Sequence, residues 1–234
     1  MTRLDHDRRI ADMFDRVAPR YDRLNRVLSA GRDIGWRRRA VALARLDAHQ
    51  LALDLGVGTG DLAFGLIAAS DKSARIIGVD LSPVMLEALR RRADARRERR
   101  VIPLLATAER LPFADASLDR VVAGFAVRNF GDLALGLRET HRVLRAGGRA
   151  VVLELSTPPN RVVGAVYRLY FHWIAPLIAS LLGGDAAAYR YLPRSVASFP
   201  DAEGLAQHMR EAGFTRVRYE RLSFGIAAIH VGEA

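Results

Sequence analysis

The sequence predicts an α/β fold built on a seven-stranded, mostly parallel sheet with helices on both faces. Short apolar strands alternate with helical segments from residue 51 to residue 155, which is the order of βα units in a parallel sheet. Two further strands, 216–222 and 226–231, close the chain as a hairpin, so one strand should run antiparallel. With 234 residues, half of them hydrophobic, the chain suits a single domain with a proper core.

Helices are predicted ahead of the first strand. Residues 5–16 and 22–29 have the pattern of two short helices, and 36–46 carries apolar residues at helical rather than strand spacing. Because all of these precede the sheet, we expect residues 1–47 to fold as a helical cap beside it.

A glycine run follows the first strand. Gly56, Gly58 and Gly60 permit a tight turn and a close approach of the backbone to a ligand, and the next helix offers N–H donors at its start. A dinucleotide fingerprint requires Gly or Ala where this chain has Asp61, which argues against NAD and FAD. With Asp54 before it, the run instead resembles motif I of class I S-adenosylmethionine-dependent methyltransferases.

The second strand, 75–80, supports the same cofactor. It ends in Asp80, about 20 residues beyond the glycines, where sheets of this kind place a carboxylate on ribose hydroxyls. Ser82 and Pro83 then start a helix, so Asp80 could also merely cap it. The two motifs at this separation predict S-adenosylmethionine as the cofactor.

Polar residues lie just past the predicted fourth strand, 118–126. Ligands in open α/β sheets bind outside the carboxyl ends of strands, which favours a functional interpretation of Arg128 and Asn129. Glu154, near the end of the predicted strand 150–155, is either a base or the partner of Arg128. A buried structural ion pair is the alternative for Arg128.

The remaining elements follow ordinary start and stop patterns. A strand is predicted over 101–105. The helix 133–144 is predicted to end at the glycines of 146–148, and the helix 202–212 at Gly213.

A long insertion, 160–200, separates the fifth strand from the last helix. Its run from 162 to 182 is nearly all apolar, and a transmembrane span needs about 20 such residues. The run is interrupted, however, which favours a packed helical lid over the site that leans on the membrane. The interrupting residues are Arg168, His172 and Pro176.

Composition narrows the class of protein. The chain has no cysteine, which excludes thiolate catalysis, disulfides and cysteine metal sites, and we predict no metal site. Residues 1–9 lack an apolar signal core, so we expect a cytoplasmic protein.

The net charge of +10 suggests attraction to nucleic acid or a lipid surface. We interpret the arginine-rich helix after Asp80 as a solvated face, and predict no nucleic acid partner because no basic stripe with interleaved aromatics is present.

Several segments together carry a family resemblance. They are 13–22, 53–62, 125–129, 142–148, 153–156 and 188–192. Through these segments the chain resembles the ubiquinone/menaquinone biosynthesis C-methyltransferase family. The similarity covers residues 10–230. The resemblance implies a Rossmann-like class I methyltransferase fold. It also implies methyl transfer to a ring carbon of a polyprenylated quinol, either demethylmenaquinol or the benzoquinol precursor of ubiquinone.

The resemblance also suggests the residues that hold the cofactor. The chain departs from the family at Thr107 and Gly124, where Asn and Ser are common, and this puts some polar contacts to the cofactor in question. We predict the following cofactor-binding residues: Asp54, Gly56, Gly58, Thr59, Gly60, Asp80, Leu81, Thr107, Ala108 and Gly124.

The implied chemistry assigns roles to a few polar residues. An aromatic carbon is a weak nucleophile until an adjacent hydroxyl loses its proton, so the site needs a proton route and a positive charge beside the oxygen. Arg128 could supply that charge and Asn129 could orient the hydroxyl or a water. Tyr21, His172 or an ordered water could carry the proton. The predicted catalytic residues are Arg128, Asn129 and Tyr21.

Other functions remain open at this stage. A methyltransferase for another small phenolic acceptor would not need a long apolar lid, and an RNA methyltransferase would need an RNA-binding surface. A non-enzymatic binding protein would keep the glycine run without the Arg128-Asn129 pair. The predicted partners are a polyprenyl quinol and the membrane surface, contacted peripherally, with a homodimer or a complex with other quinone-biosynthesis enzymes also expected.

Overall fold

One sheet positions the rest of the molecule. A computed structural model describes residues 3–174, 177 and 186–234. Its strands are β1 (Leu51–Leu55), β2 (Arg75–Asp80), β3 (Val101–Leu105), β4 (Leu118–Gly124), β5 (Leu144–Leu155), β6 (Thr215–Leu222) and β7 (Ala227–Glu233). They lie in the order β3-β2-β1-β4-β5-β7-β6, and β7 is antiparallel to both of its neighbours. The predicted seven-stranded, mostly parallel sheet is confirmed.

Helices cover both faces of this sheet. The α-helices are α1 (Arg3–Val17), α2 (Tyr21–Leu28), α3 (Arg32–Ala44), α4 (Asp61–Ala69), α5 (Pro83–Ala95), α6 (Leu133–Val143), α7 (Arg161–Leu169), α8 (Ala186–Ser198) and α9 (Ala202–Glu211). Short 3-10 turns lie at Ala18–Arg20, Val127–Asn129 and Ser223–Gly225, and a π-helix, Tyr170–Ile174, continues α7.

Strand side chains alternate between two buried layers, as the pleat requires. Residues of α3, α4 and α5 pack on one face, with Ala40, Leu66 and Leu89 nearly inaccessible to solvent. Residues of α6 and α9 pack on the other, including Leu137 and Met209. The carboxyl ends of β1, β2, β4 and β5 are therefore held rigidly at one edge.

The predicted glycine stop after α6 is wrong. The helix ends at Val143, and β5 begins at the next residue. Gly147, with a φ of +75°, lies within β5, where the register against β4 shifts. Its N–H donates to the carbonyl of Ala234, so these glycines form a bulge that pairs with the chain end.

The N-terminal helices and the insertion flank the carboxyl edge of the sheet. Helix α1 packs against α5 and α8. Residues 175, 176 and 178–182 of the predicted apolar run, Pro176 among them, lie outside the described residues. No helix within the described ranges is long and apolar enough to cross a bilayer. The division into a cap (1–47) and a lid (160–200) stays a prediction.

Candidate active site

The glycine loop after β1 folds against the end of β2. The N–H groups of Gly56 and Val57 both donate to the carbonyl of Val79, at 2.8 and 2.9 Å. Gly56 has a φ of +71°, and a Cβ there would lie 2.4 Å from the Cβ of Ala126. Glycine is therefore required both by the backbone conformation and by the close packing on the end of β4.

Asp80 connects this loop to the next helix. Its Oδ2 accepts from the N–H of Gly58 at 2.8 Å and its Oδ1 from the N–H of Ser82 at 2.9 Å. The Ser82 hydroxyl caps α5 by accepting from Met85 N–H, and also donates to Asp15 of α1. Burial raises the pKa of Asp80, while the backbone donors oppose that shift. Asp80 thus orders the loop and the helix start together.

A cavity of about 810 Å³ opens above the glycine loop, and we call it the cofactor cavity. Asp54, Gly60 and Thr107 are not among its lining residues, and Arg128 belongs to a second cavity. The predicted site residues that line it are Tyr21, Gly56, Gly58, Thr59, Asp80, Leu81, Ala108, Gly124 and Asn129.

Asp54 lies beneath the loop rather than in the cavity wall. Its side chain is buried, and neither oxygen has a hydrogen-bond partner in the described part of the chain. Burial raises the pKa of Asp54 to about 7. The Arg37 charge and the nearby N–H of Ala63, which falls short of hydrogen-bond geometry, act more weakly against that rise. A carboxyl group poorly compensated by its surroundings therefore lies beneath the glycine loop.

Helix α2 is tied to the loop by side chains. The Thr59 hydroxyl donates to Asp22 at 2.7 Å. Arg92 of α5 donates to the carbonyl of Thr59 at 3.1 Å and pairs with Asp61 at 2.7 Å. The charge of Asp61, the residue whose identity argues against a dinucleotide cofactor, is thus neutralised by Arg92. These contacts place Tyr21 over the glycines.

A second, mostly apolar cavity of about 1190 Å³ adjoins the first, and we call it the acceptor cavity. Tyr21 and Phe125 line both cavities, so they stand at the boundary. Its apolar wall comes from α2, α3, the insertion and the β6–β7 turn. These wall residues are Leu28, Trp36, Leu155, Val166, Tyr167, Tyr170, Leu192 and Ile226.

Arg128 is a buried cation in the wall of the acceptor cavity, and it is also half of a buried ion pair. Its Nη1 donates to Glu154 Oε1 at 2.6 Å and to the carbonyl of Phe125 at 2.9 Å. The two side chains are 7% and 1% exposed. Burial alone would lower the pKa of Arg128, but Glu154 and Tyr21 outweigh it and raise that pKa. Glu154 therefore serves as the partner of Arg128, one of the two roles predicted for it.

A family model, that of the ubiE/COQ5 methyltransferase family, matches residues 1–234. A demethylmenaquinone methyltransferase of Thermus thermophilus is 50% identical over 94% of this chain and 99% of its own length. One of Deinococcus radiodurans is 46% identical, over 98% and 94%. The chain belongs to the ubiE/COQ5 methyltransferase family.

Solved structures show the same fold. A SAM-dependent methyltransferase of Thermotoga maritima has a TM-score of 0.68 at 23% identity, covering 95% of this chain and 98% of its own. One of Methanococcus maripaludis has a TM-score of 0.65 at 20% identity, covering 94% and 92%. The chain is therefore a Rossmann-like, S-adenosylmethionine-dependent methyltransferase of the ubiE/COQ5 family.

The residues present in the cofactor cavity fit S-adenosylmethionine. The glycine cradle has no room for a side chain at position 56, and the Asp80 carboxylate stands at its rim. The uncompensated Asp54 beneath the loop suits a ligand that carries positive charge. At Gly124 a Cβ would lie 2.5 Å from Leu62 Cδ1, so the serine common in the family would require Leu62 to shift.

Sequence reasoning missed some residues of the site because they come from distant elements. Arg37 of α3 reaches the cofactor cavity, with its guanidinium 5.1 Å from the Phe125 ring. Tyr191 of α8 donates to Asn129 Oδ1 at 3.0 Å. The family segment 188–192 pointed to Tyr191, whereas no local pattern marked Arg37. The His172 side chain lies outside the described residues.

Proposed function

We propose that this family member transfers a methyl group to a ring carbon of a polyprenylated quinol in respiratory quinone biosynthesis. The acceptor cavity carries the proposal: an aromatic- and aliphatic-lined space adjoins the cofactor cavity and contains one buried guanidinium, that of Arg128. The curated relatives named demethylmenaquinone methyltransferase favour a naphthoquinol, demethylmenaquinol, as the acceptor. The benzoquinol precursor of ubiquinone is the second candidate, favoured by relatives named for both pathways.

When bound, S-adenosylmethionine would supply an electrophilic methyl group for the acceptor. We assign its ribose to Asp80 and the glycine loop. Tyr21 and Phe125, which line both cavities, would exclude water and align the acceptor ring.

The acceptor carbon becomes nucleophilic when the neighbouring hydroxyl is deprotonated. Arg128 would stabilise the phenolate oxygen through its fixed charge, and Asn129 would orient that oxygen. Tyr21 or a water would relay the proton towards solvent. Glu154 holds the Arg128 guanidinium in place, so it supports this charge rather than acting as the base.

A purified enzyme assay tests this function directly. Protein, S-adenosylmethionine and a short-chain demethylmenaquinol kept reduced should yield menaquinol, identified by the mass gained and by loss of the ring proton in the NMR spectrum. A protein that methylates a soluble phenol but neither prenylated quinol would establish the alternative acceptor class instead.

We further propose peripheral contact with the cytoplasmic membrane surface through one face of the insertion. Val162, Val166 and Leu169 lie at helical spacing along α7, Trp173 lies in the π-helix that continues it, and Leu177 follows. All five are exposed, Trp173 by 67%. We call these five residues the apolar stripe. Val166 also lines the acceptor cavity, so a prenyl tail could pass from lipid to the site.

Basic side chains flank the stripe. Arg161 and Arg168 are exposed on α7, and the whole chain has a net charge of +10. A basic surface around exposed aromatic and aliphatic groups suits the interface of an anionic bilayer. Peripheral binding of this kind weakens as salt rises.

Vesicle flotation tests the membrane contact. Vesicles with phosphatidylglycerol should recruit the protein at low salt and release it at high salt. Leu169→Ser with Trp173→Ser should abolish recruitment, whereas Leu105→Ser, on the exposed side of edge strand β3, should not. No recruitment of the wild type, or recruitment that only detergent reverses, would contradict the proposal.

Assembly also stays a prediction. Light scattering of the purified protein would distinguish a homodimer from a monomer, and co-purification would test a complex with other quinone-biosynthesis enzymes.

A further inference from the structure

Asn129 is a junction between the sheet, the N-terminal helices and the insertion. It ends the 3-10 turn after β4, is 7% exposed and lines the cofactor cavity. The His6 ring of α1 lies 3.0 Å from its backbone carbonyl. Its side-chain amide is contacted from α8 by Tyr191.

The contacts on that amide leave one donor for a ligand. Tyr191 O–H donates to Oδ1 at 3.0 Å, and Nδ2 makes a long contact of 3.4 Å with the carbonyl of Phe125. A primary amide has two N–H donors, so one remains for the cavity. The Phe125 carbonyl can only accept, and together with the Tyr191 donor it determines which end of the amide is oxygen.

Tyr191 keeps its proton in this setting. Burial raises the pKa of Tyr191, which outweighs the opposing effect of the Arg128 charge. A protonated phenol is a permanent donor, so it holds the Asn129 oxygen and prevents the amide from turning. Tyr191 is not among the residues that line either cavity, so its effect on a ligand would pass through Asn129.

We propose that Tyr191 is a positioning residue for methyl transfer. It fixes the Asn129 amide, which lines the cofactor cavity beside the boundary residue Phe125, so that the remaining N–H is held for the oxygen of an acceptor ring that reaches this boundary. This inference rests on the proposed function, because it assumes that Asn129 orients the acceptor. It assigns a role to α8, which carries the hydroxyl that holds the Asn129 amide.

A double-mutant cycle tests the coupling. Tyr191→Phe removes only the hydroxyl, and we expect it to lower kcat about tenfold, with S-adenosylmethionine affinity unchanged. In an Asn129→Ala background the same substitution should change kcat by less than about twofold, since the group it positions is gone. Tyr219→Phe, on β6 beside His230 and in neither cavity wall, is the matched control and should leave kcat at the wild-type level.

The possible results are distinguishable. Wild-type protein that fails to methylate any prenylated quinol overturns the proposed function, and this inference with it. If the wild type is active and Tyr191→Phe lowers kcat equally in the wild-type and Asn129→Ala backgrounds, the inference alone is overturned. A Tyr191→Phe protein with normal kcat overturns it as well. A merely structural tie predicts that Tyr191→Phe lowers the melting temperature and weakens binding of both ligands, while kcat at saturating ligand concentrations stays at the wild-type level.

Discussion

Two buried carboxyl groups lie near the carboxyl ends of the two strands that flank β4, and their surroundings differ. Asp54 of β1 and Glu154 of β5 are each 1% exposed. Glu154 is paired with Arg128 at 2.6 Å, whereas Asp54 has no hydrogen-bond partner among the described residues. The acceptor side therefore holds a balanced charge pair, and the cofactor side an acid whose negative charge is not balanced.

This difference matches the two ligands that we assign. Acidic residues predominate among the charged groups that line the cofactor cavity, namely Asp7, Asp22, Asp61, Asp80 and Glu109 beside Arg37. S-adenosylmethionine carries a sulfonium cation, which such surroundings favour. A prenylated quinol is neutral and apolar, and suits the aromatic wall around Trp36 and Tyr167. Charge therefore selects the ligand of the cofactor cavity, and an apolar wall selects the ligand of the acceptor cavity.

Breaking the balanced pair should have the largest effect. Arg128→Ala leaves Glu154 buried without its partner, which typically lowers stability by about 3–5 kcal/mol. Loss of a preorganised charge should also lower turnover about 100–1,000-fold. Melting temperature and turnover with a short-chain demethylmenaquinol measure the two effects.

A double variant separates charge from stability. Arg128→Met with Glu154→Gln removes both charges, so most of the stability should return while turnover stays low and S-adenosylmethionine affinity stays near that of the wild type. Normal turnover in this variant would remove Arg128 from the mechanism and leave it as a structural partner.

Removing the carboxylate of Asp54 should stabilise the fold, whereas breaking the Arg128–Glu154 pair destabilises it. Because the pKa of Asp54 is about 7 in the folded protein and 3.8 ordinarily, the folded state binds this proton more tightly than the unfolded state. Asp54 therefore lowers the free energy of unfolding as pH rises from about 4 to 7, with the full penalty above that range. Asp54→Asn should be more stable than wild type by about 2–4 kcal/mol at pH 8 and little different at pH 4.

Chemical denaturation of both proteins across this pH range measures that difference. A constant difference at all pH values would show that Asp54 is compensated in the fold, and the contrast with Glu154 would fail.

A substitution at Asp80 tests the ribose site that we assign to the cofactor cavity. Asp80→Ala should weaken S-adenosylmethionine binding by about 2–3 kcal/mol, the effect of a lost charge-assisted hydrogen bond. Calorimetry gives the affinity, and Asp71→Ala, an exposed acid on the loop before β2, is the control. Unchanged affinity in a folded Asp80→Ala protein would remove Asp80 from the ribose site.

The smallest effect is expected at the acceptor wall. Trp36 donates through Nε1 to the Ser223 hydroxyl at 3.1 Å, beside a turn where Ser223, Phe224 and Gly225 all have positive φ. Trp36→Phe keeps an aromatic wall but loses this bond, so stability should fall by about 1 kcal/mol. The KM for the quinol should rise while S-adenosylmethionine affinity does not change. Weakened binding of both ligands would indicate that the cavities are not independent.

The sequence predicted what depends on neighbours along the chain. Strand and helix periodicity, the glycine turn at Gly56 and the acid at Asp80 are local patterns, and the structure places them together at one sheet edge. Contacts between distant segments were not predictable in this way. The pairing of Gly147 with the chain end turned an expected helix stop into a bulge.

In the site, too, residues marked by a local pattern were predictable and contacts between distant segments were not. Arg128 and Asn129 stood out because they follow a strand end, whereas the choice between base and partner for Glu154 depended on a 2.6 Å contact. Arg37 reaches the site from a helix that precedes the sheet, and its sequence surroundings resemble any solvated arginine-rich face. Only the folded chain brings it beside Gly124 and Phe125.

A crossed binding experiment tests the separation of the two cavities most directly. Leu192→Trp fills the acceptor cavity, and Asp80→Ala alters the cofactor cavity. Calorimetry with S-adenosylmethionine and dialysis with a short-chain demethylmenaquinone should show that Leu192→Trp loses only the quinone and Asp80→Ala weakens only S-adenosylmethionine. Loss of both ligands together from either folded variant would contradict two separate sites.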